Sequence, residues 1–154
     1  MNLLARLYPI KLWYWRLFRP ITIGVRAVPV DPDGRLLLLR HTYVRGWYFP
    51  GGGVEVSETL AAAAAREMQE EVGLQAIGAP TLITAQTFFI QGRTDHVVLF
   101  RIAVDGSAPR VDGWEIAEAR YFEPDNLPPL PSVTQRQLGA FNDMDRPESD
   151  PREP

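Results

Sequence analysis

Apolar and polar positions divide the chain after residue 20 into strand-like and helix-like stretches. Short apolar runs rich in Val, Ile, Leu and Phe predict strands, in the segments ITIGVRAVPV, RLLLLRHTY, PTLITAQTFFI, DHVVLFRIAV and EARYF. The turn sequence DPDG at residues 31–34 predicts a hairpin between the first two strands. Pro29 indicates that the first strand lies at a sheet edge or carries a bulge, because proline has no N–H to donate.

A stretch of helical periodicity follows the glycine-rich loop VRGWYFPGGGVEVSE. It predicts a helix from about Thr59 to Val72, capped by Ser57 or Glu58 at its start and by Gly73 at its end. Apolar positions spaced by three and four residues predict the side of this helix that faces the core: Ala61, Ala65, Met68 and Val72.

A second helix is predicted in SVTQRQLGAF, with Ser132 as its N-cap. Strands dominate the chain, one helix lies in its middle and helices lie at both ends. This order predicts an α+β domain with a mixed β-sheet and helices on its faces.

The two ends of the chain differ from the middle. Residues 1–19 contain four basic side chains, several aromatic residues and no acid. Apolar residues recur there at helical spacing, namely Leu3, Leu7, Ile10, Tyr14 and Leu17. We expect a basic aromatic helical arm that packs on the domain or on a second subunit in a homodimer; peripheral contact with an anionic membrane is the alternative. The polar, proline-rich residues 143–154 predict a disordered tail, which leaves residues 20–142 as the domain.

Composition narrows the classes of function. The chain has 154 residues, a formal net charge of −3 and a sequence pI of about 5.4, so the overall charge predicts no binding to nucleic acid. It has no cysteine and only two histidines. A metal would therefore be held mostly by oxygen ligands, which favours Mg²⁺, Mn²⁺ or Ca²⁺. No apolar run long enough for a membrane span and no cleavable signal sequence is present, so a cytoplasmic location is expected.

Three glutamates crowd the end of the first predicted helix. Glu67, Glu70 and Glu71 fall within roughly 100° of one another on a helical wheel. Ala63 and Ala64 lie one turn earlier near the same face, so little bulk would block an approaching ligand. The neighbouring glycines of the PGGG loop allow close approach of the backbone and leave carbonyls free for a hard cation. Taken alone, the cluster fits either a solvated surface or a cation site.

The longer pattern favours the cation site. Residues 52–74 read GGVEVSETLAAAAAREMQEEVGL, which resembles the signature box of the Nudix hydrolases at every defined position. The flanking segments GRLLLLRHTY, GWYFPGGGVE and EIAEARYFEPDNLP are also similar to that family, and the resemblance covers about residues 22–141. It implies an α/β/α sandwich with a central mixed sheet. It also implies hydrolysis of a nucleoside diphosphate linked to another moiety, by attack of water on a phosphorus with Mg²⁺ or Mn²⁺.

The resemblance also implies roles for single residues. Glu70 and Glu71 match the principal metal ligands, and Glu67 matches a ligand or the base that activates water. A carbonyl of Gly51 or Gly52 is a further candidate ligand. Two supporting roles follow the same match, in which Arg66 orients Glu67 and Glu58 supports the junction between loop and helix.

Further candidates lie outside the box. The resemblance implies an additional catalytic acidic residue just before the last strand, and of the two acids there Glu115 is preferred to Glu118, because it lies in the loop. Arginines near the box are candidate anion-binding residues, with Arg45 preferred: Arg26, Arg40, Arg45 and Arg93. Aromatic residues that could stack on a base or pack in the core are Trp47, Tyr48 and Phe88.

The identity of the substrate stays open at the level of sequence. Nucleotide sugars, nucleoside triphosphates and lipid-linked diphosphates all fit a small-molecule nucleotide diphosphate substrate. The alternative function is a non-catalytic, Nudix-like nucleotide-binding or regulatory domain. That alternative is disfavoured because all the box glutamates are present.

Overall fold

The computed structural model describes residues 21–90 and 93–144. The arm predicted in residues 1–19 and most of the tail therefore lie outside the described residues. The elements are β1 (Ile21–Val30), β2 (Leu36–His41), α1 (Leu60–Val72), β3 (Thr81–Ile90), β4 (Arg93–Ala103), β5 (Ile116–Phe122) and α2 (Ser132–Met144). All five predicted strands and both predicted helices are present. Neither described helix is long and apolar enough to cross a membrane.

The five strands form one mixed sheet in the order β3-β4-β1-β2-β5. Strands β1 and β4 are parallel and in continuous register from Ile21 beside Thr94 to Val30 beside Ala103. The other neighbouring pairs are antiparallel. The predicted DPDG turn connects β1 to β2, where the N–H of Gly34 donates to the carbonyl of Asp31 at 3.0 Å.

The helices cover opposite faces of this sheet. Strand β2 shows the reason, since its four leucines are all buried and successive side chains on a strand point to opposite faces. Leu37 and Leu39 pack in the core cluster that contains α1, whereas Leu36 and Leu38 pack in the cluster that contains Phe141 of α2. The α/β/α sandwich is thereby confirmed.

The prediction for Pro29 is wrong, because β1 lies at the centre of the sheet rather than at an edge. On the side of β1 away from β4, Val25 and Ala27 donate their N–H groups to Gly52 and Pro50 of the glycine-rich loop. Donor direction alternates along a strand, so position 29 faces that same side. The missing N–H of Pro29 therefore leaves its pairing with Ile102 of β4 intact.

Three local predictions about the helices need correction. The N-cap of α1 is Thr59, not Ser57 or Glu58, and its side chain accepts the N–H of Ala62 at 3.1 Å. The core-facing side of α1 is correct for Met68 and Val72, which are buried, but Ala61 and Ala65 are only partly buried at its border, and Ala63 and Ala64 are buried instead. The last helix continues to Met144, so the first two residues of the predicted tail are helical.

Candidate active site

The glycine-rich loop before α1 is held between strand β1 and helix α1. The carbonyl of Gly52 accepts the N–H of Val25 at 2.9 Å. A Cβ atom at Gly51 would collide with the carbonyl of Val25, and one at Gly52 would lie 2.6 Å from the carboxylate of Glu67. The close approach of backbone to strand and helix therefore requires glycine at both positions.

The two loop carbonyls predicted as metal ligands are in different situations. The Gly52 carbonyl is directed at β1 and is already hydrogen-bonded there. In the described part of the chain, the Gly51 carbonyl accepts no hydrogen bond, and the N–H of Gly51 donates to Oε2 of Glu71 at 2.8 Å. Gly51 is therefore the better placed of the two to offer an oxygen beside the glutamates.

Arg66 of α1 organises the glutamates around a single guanidinium group. Its Nε and Nη2 donate to the two oxygens of Glu58 at 2.8 and 3.0 Å, a bidentate pair. Nη2 also donates to the carbonyl of Gly53 at 3.0 Å. Nη1 donates to Glu67 at 2.9 Å and to Glu70 at 3.1 Å. The contact predicted between Arg66 and Glu67 is thus present, Arg66 also contacts Glu70, and Glu58 ties the loop to α1 through Arg66.

Burial gives the glutamates different proton affinities. Burial raises the pKa of Glu71 to about 8, although the N–H of Gly51 and the charge of Arg26 favour its ionised form. Burial also raises the pKa of Glu67, against the opposing hydrogen bond from Arg66. A cation would provide the positive charge that these carboxyl groups lack, and its binding would release the proton held by Glu71.

A loop far away in sequence completes the cluster. A cavity of about 100 Å³ is lined by Glu67, Glu70, Glu71, Asp112, Glu115 and Ile116. Glu118 lies elsewhere, since it forms ion pairs with Arg40 at 2.8 Å and with Arg120. The structure therefore brings Glu115, and not Glu118, to the glutamates of α1.

The sequence analysis missed Asp112, which shapes the loop that carries Glu115. Its Oδ1 accepts the N–H groups of Trp114, Glu115 and Ile116 at 2.9, 3.0 and 3.1 Å. Backbone hydrogen bonds, that of Ile116 first, lower the pKa of Asp112, so it stays ionised in this role. The Asp-Gly pair in DGWE is a turn signal from which this arrangement could have been expected.

Two of the predicted anion-binding arginines lie at this end of the molecule. Arg26 makes a 3.3 Å hydrogen bond to the carbonyl of Val25 and is close enough to Glu71 and Glu67 to influence their pKa values. Arg45 lines an open cleft of about 550 Å³ formed by residues 40–46. Arg40 lines the same cleft but is paired with Glu118. The side chain of Arg93 lies outside the described part of the chain.

Aromatic rings line one side of the same cleft, and they were not among the residues predicted to bind substrate. The rings of Tyr43 and His41 are 5.1 Å apart, and Tyr43 is 39% exposed. Its hydroxyl donates to Glu115 at 3.4 Å, so the cleft and the glutamate cavity adjoin. Burial, together with the charge of Arg26, lowers the pKa of His41 to about 4, and the ring is therefore neutral at pH 7.

Trp47 and Phe88, the predicted base-stacking residues, do not line this cavity or cleft. Trp47 packs edge-on against Phe122 with ring centroids 4.9 Å apart, and its carbonyl accepts the hydroxyl of Thr134. The guanidinium of Arg136 lies 5.2 Å from the ring centre of Phe88. Both aromatic side chains therefore pack against other residues, which was the alternative to base stacking in the sequence analysis.

The oxygen atoms of this site suit a hard cation such as Mg²⁺. Within residues 21–90 and 93–144, no group of three or more acidic or histidine side chains is arranged to hold a metal ion by itself. Mg²⁺ does not require one, because it keeps several waters and is commonly held by one or two carboxylates together with substrate phosphates. The carboxylates around the small cavity match that kind of site.

Comparison with known proteins decides the family. A profile described as the NUDIX domain matches residues 20–142. The chain belongs to the Nudix family. The Nudix box read from the sequence is thus confirmed as a family marker, and so is the assignment as a Nudix hydrolase. Nudix hydrolases in general use divalent metal ions.

Individual Nudix relatives agree with this assignment. The chain is 30% identical over 107 residues to a "Putative 8-oxo-dGTP diphosphatase" of Bacillus subtilis, a match that covers 70% of each protein. It is 46% identical over 57 residues to an "RNA pyrophosphohydrolase" of Halorhodospira halophila, covering 37% of this chain and only 30% of that relative. A MutT NUDIX hydrolase structure from Burkholderia pseudomallei superposes with a TM-score of 0.68 at 26% identity, over 78% of this chain and 97% of that one.

Proposed function

We propose that this Nudix protein hydrolyses the phosphoanhydride bond of a nucleoside diphosphate linked to another moiety, with Mg²⁺ or Mn²⁺ bound at its glutamates. The observation that carries the proposal is the cavity shared by three glutamates of α1 and by Glu115 from the loop before β5. Two remote parts of the chain contribute carboxylates to one small space. A solvated acidic face of one helix would not require this convergence.

Glu70, Glu71 and the Gly51 carbonyl would hold the metal, and Glu67 would act as a further ligand or as the base. The metal, when bound, would supply charge for the phosphate oxygens and a more acidic water. Glu115 is the second candidate base, because it comes from outside α1 and faces the same cavity. Arg66 holds Glu67 and Glu70 in place, and Arg26 supplies positive charge beside the glutamates for a phosphate group.

The cleft of residues 40–46 would take the other part of the substrate. Arg45 would bind an anionic group there, and the partly exposed ring of Tyr43 would stack on a flat group. Tyr43 replaces Trp47 and Phe88 in this role, because both of those rings are engaged in packing. A Tyr43→Ala variant should therefore raise KM more than it lowers kcat, and an unchanged KM would remove Tyr43 from substrate binding.

The function is tested by phosphate or pyrophosphate release from a substrate panel with Mg²⁺ and with Mn²⁺. The panel should contain nucleoside triphosphates including 8-oxo-dGTP, nucleotide sugars, lipid-linked diphosphates and a 5′-triphosphate RNA oligonucleotide. The Glu70→Gln variant should lose at least about tenfold in rate, because a metal ligand is removed. Glu55→Gln is the matched control, since Glu55 is an exposed glutamate of the glycine-rich loop before α1. Binding without hydrolysis across the panel would favour the non-catalytic alternative.

The candidate base outside α1 has its own matched pair of variants. Glu115→Gln should lower kcat by about 10² or more if Glu115 moves the proton of the attacking water. Glu118→Gln is the control, because Glu118 lies on the following strand but pairs with Arg40 and Arg120. Equal effects of the two substitutions would leave Glu67 as the base.

A further inference from the structure

The sheet face that carries α1 is only partly covered by that helix. Strand register places side chains of β3, β4 and β1 in three rows on this face, about 6.6 Å apart along the strands. The rows are Ala85-Val98-Val25, Thr87-His96-Ile23 and Phe89-Thr94-Ile21. Val25 and Val98 of the first row are buried under α1. The helix does not cover the next two rows.

The next two rows expose a group of large apolar side chains, which we call the outer patch (Ile21, Ile23 and Phe89). Ile21 is 64% exposed, Ile23 is 52% exposed and Phe89 is 83% exposed. No element among residues 21–90 and 93–144 packs over them. Aliphatic and aromatic side chains grouped on one face are the kind of surface that another apolar segment covers.

We propose that residues 1–20 of this chain dock on the outer patch. Ile21 belongs to the patch and is covalently joined to residue 20, so the segment starts at the edge of the surface it would cover. Its residues Leu3, Leu7, Ile10, Tyr14 and Leu17 are apolar and have helical spacing. As a helix, this stretch would extend about 21 Å, longer than the roughly 10 Å that separate β1 from β3 across the sheet.

Charge and the covalent connection also favour docking of the segment. Residues 1–20 contribute +4 to a net charge of −3, so the remaining residues carry −7 and attract the segment. The covalent connection gives the segment an effective concentration on the order of mM at the patch. Docking of a second copy is less favoured, because three side chains are too few for the ~800 Å² per partner that a stable interface buries.

Engineered disulfides can test this docking in the full-length chain, which has no cysteine of its own. Thr87→Cys places a thiol within the patch face while it keeps all three apolar side chains. It is combined in turn with Ile10→Cys, with Tyr14→Cys and, as the matched control, with Leu12→Cys on the opposite side of the helical pattern. Each protein is oxidised at micromolar concentration, and intrachain and interchain products are separated on non-reducing gels.

We expect severalfold more intrachain disulfide from the pairs with position 10 or 14 than from the pair with position 12. Adding Phe89→Ser to the 10/87 pair should reduce the product severalfold, whereas Val56→Ser, at a 97% exposed residue of the glycine-rich loop, should not. Circular dichroism verifies the fold of each variant. Equal yields at all three positions, or no intrachain product, would overturn the proposal. Products only between chains would favour a second copy, and co-sedimentation with phosphatidylserine vesicles without intrachain product would favour a membrane.

Discussion

Replacement of Glu71 by glutamine should stabilise the metal-free protein while it destroys the metal site. Glu71 is buried, and burial raises its pKa from 4.5 to about 8. Between these pH values the folded state keeps a proton that the unfolded state has lost, so wild-type stability falls as pH rises. Glutamine has no proton to lose and still offers an oxygen to the N–H of Gly51.

The size of the effect follows from the shift in pKa. The stability difference should be close to zero below pH 4.5 and should grow by about 1.4 kcal/mol per pH unit up to pH 8. At pH 7 this gives an advantage of about 3 kcal/mol for Glu71→Gln in EDTA.

Urea unfolding between pH 5 and 8, followed by circular dichroism, measures the difference directly. Glu55→Gln, at an exposed glutamate of the glycine-rich loop before α1, is the control. Its stability relative to wild type should change little with pH. With Mg²⁺ at more than roughly 200 times its Kd, the order at pH 7 should reverse, because the metal stabilises only the wild-type fold, by RT ln(1 + [Mg²⁺]/Kd). A difference that stays constant with pH, or a variant less stable than wild type at pH 8 in EDTA, would refute the reasoning.

Two further substitutions test the supports of the site, and a third tests the turn between β1 and β2. Gly52→Ala would place a methyl group 2.6 Å from the Glu67 carboxylate. The displacement of Glu67 should lower kcat by about 10². Gly53→Ala, with no atom within 4 Å of its Cβ, is the control and should have a kcat close to wild type. Arg66→Lys should cost about 1–3 kcal/mol in urea unfolding, because lysine lacks the planar fork of donors that holds three glutamates. Asp31→Asn should destabilise the protein at pH 7, and the difference should shrink as pH falls below the ordinary aspartate pKa of 3.8. Burial raises the pKa of Asp31, but the hydrogen bonds that it accepts from Arg35 outweigh burial and lower it, and the stability they provide is lost as pH falls.

Local sequence signals predicted the elements because each depends on neighbouring residues. The four leucines of β2, the apolar run of β4 and the DPDG turn report burial and turn geometry directly. The mistakes concern position within the assembled sheet and helix. An edge or a bulge was expected for Pro29, because a missing N–H is normally tolerated there. At the centre of the sheet, the side of β1 that faces the glycine-rich loop tolerates the missing N–H as well.

The candidate site divides in the same way. Spacing along α1 was enough to bring Glu67, Glu70 and Glu71 to neighbouring positions and to place Arg66 within reach of Glu70, because helix geometry alone decides these distances. The sequence also pointed to Gly51 and Gly52 as positions where the backbone approaches closely. The contacts among Arg66 and the glutamates are local to α1, whereas the loop glycines also approach Val25 of β1.

Only the tertiary structure decided which remote residues join the glutamates. The sequence already preferred Glu115 to Glu118, but the place of Glu115 beside the glutamates and the role of Asp112 depend on how the loop before β5 folds over the end of α1. The packing of Trp47 depends on its contacts with Phe122 and Thr134. The high pKa of Glu71 likewise requires the burial that the sheet, the loop and the helix create together. By itself, the sequence determined the family, because the Nudix box is a local pattern. The fold decided the partners and the protonation of the box glutamates, because these depend on groups that are distant in sequence and on the exclusion of water.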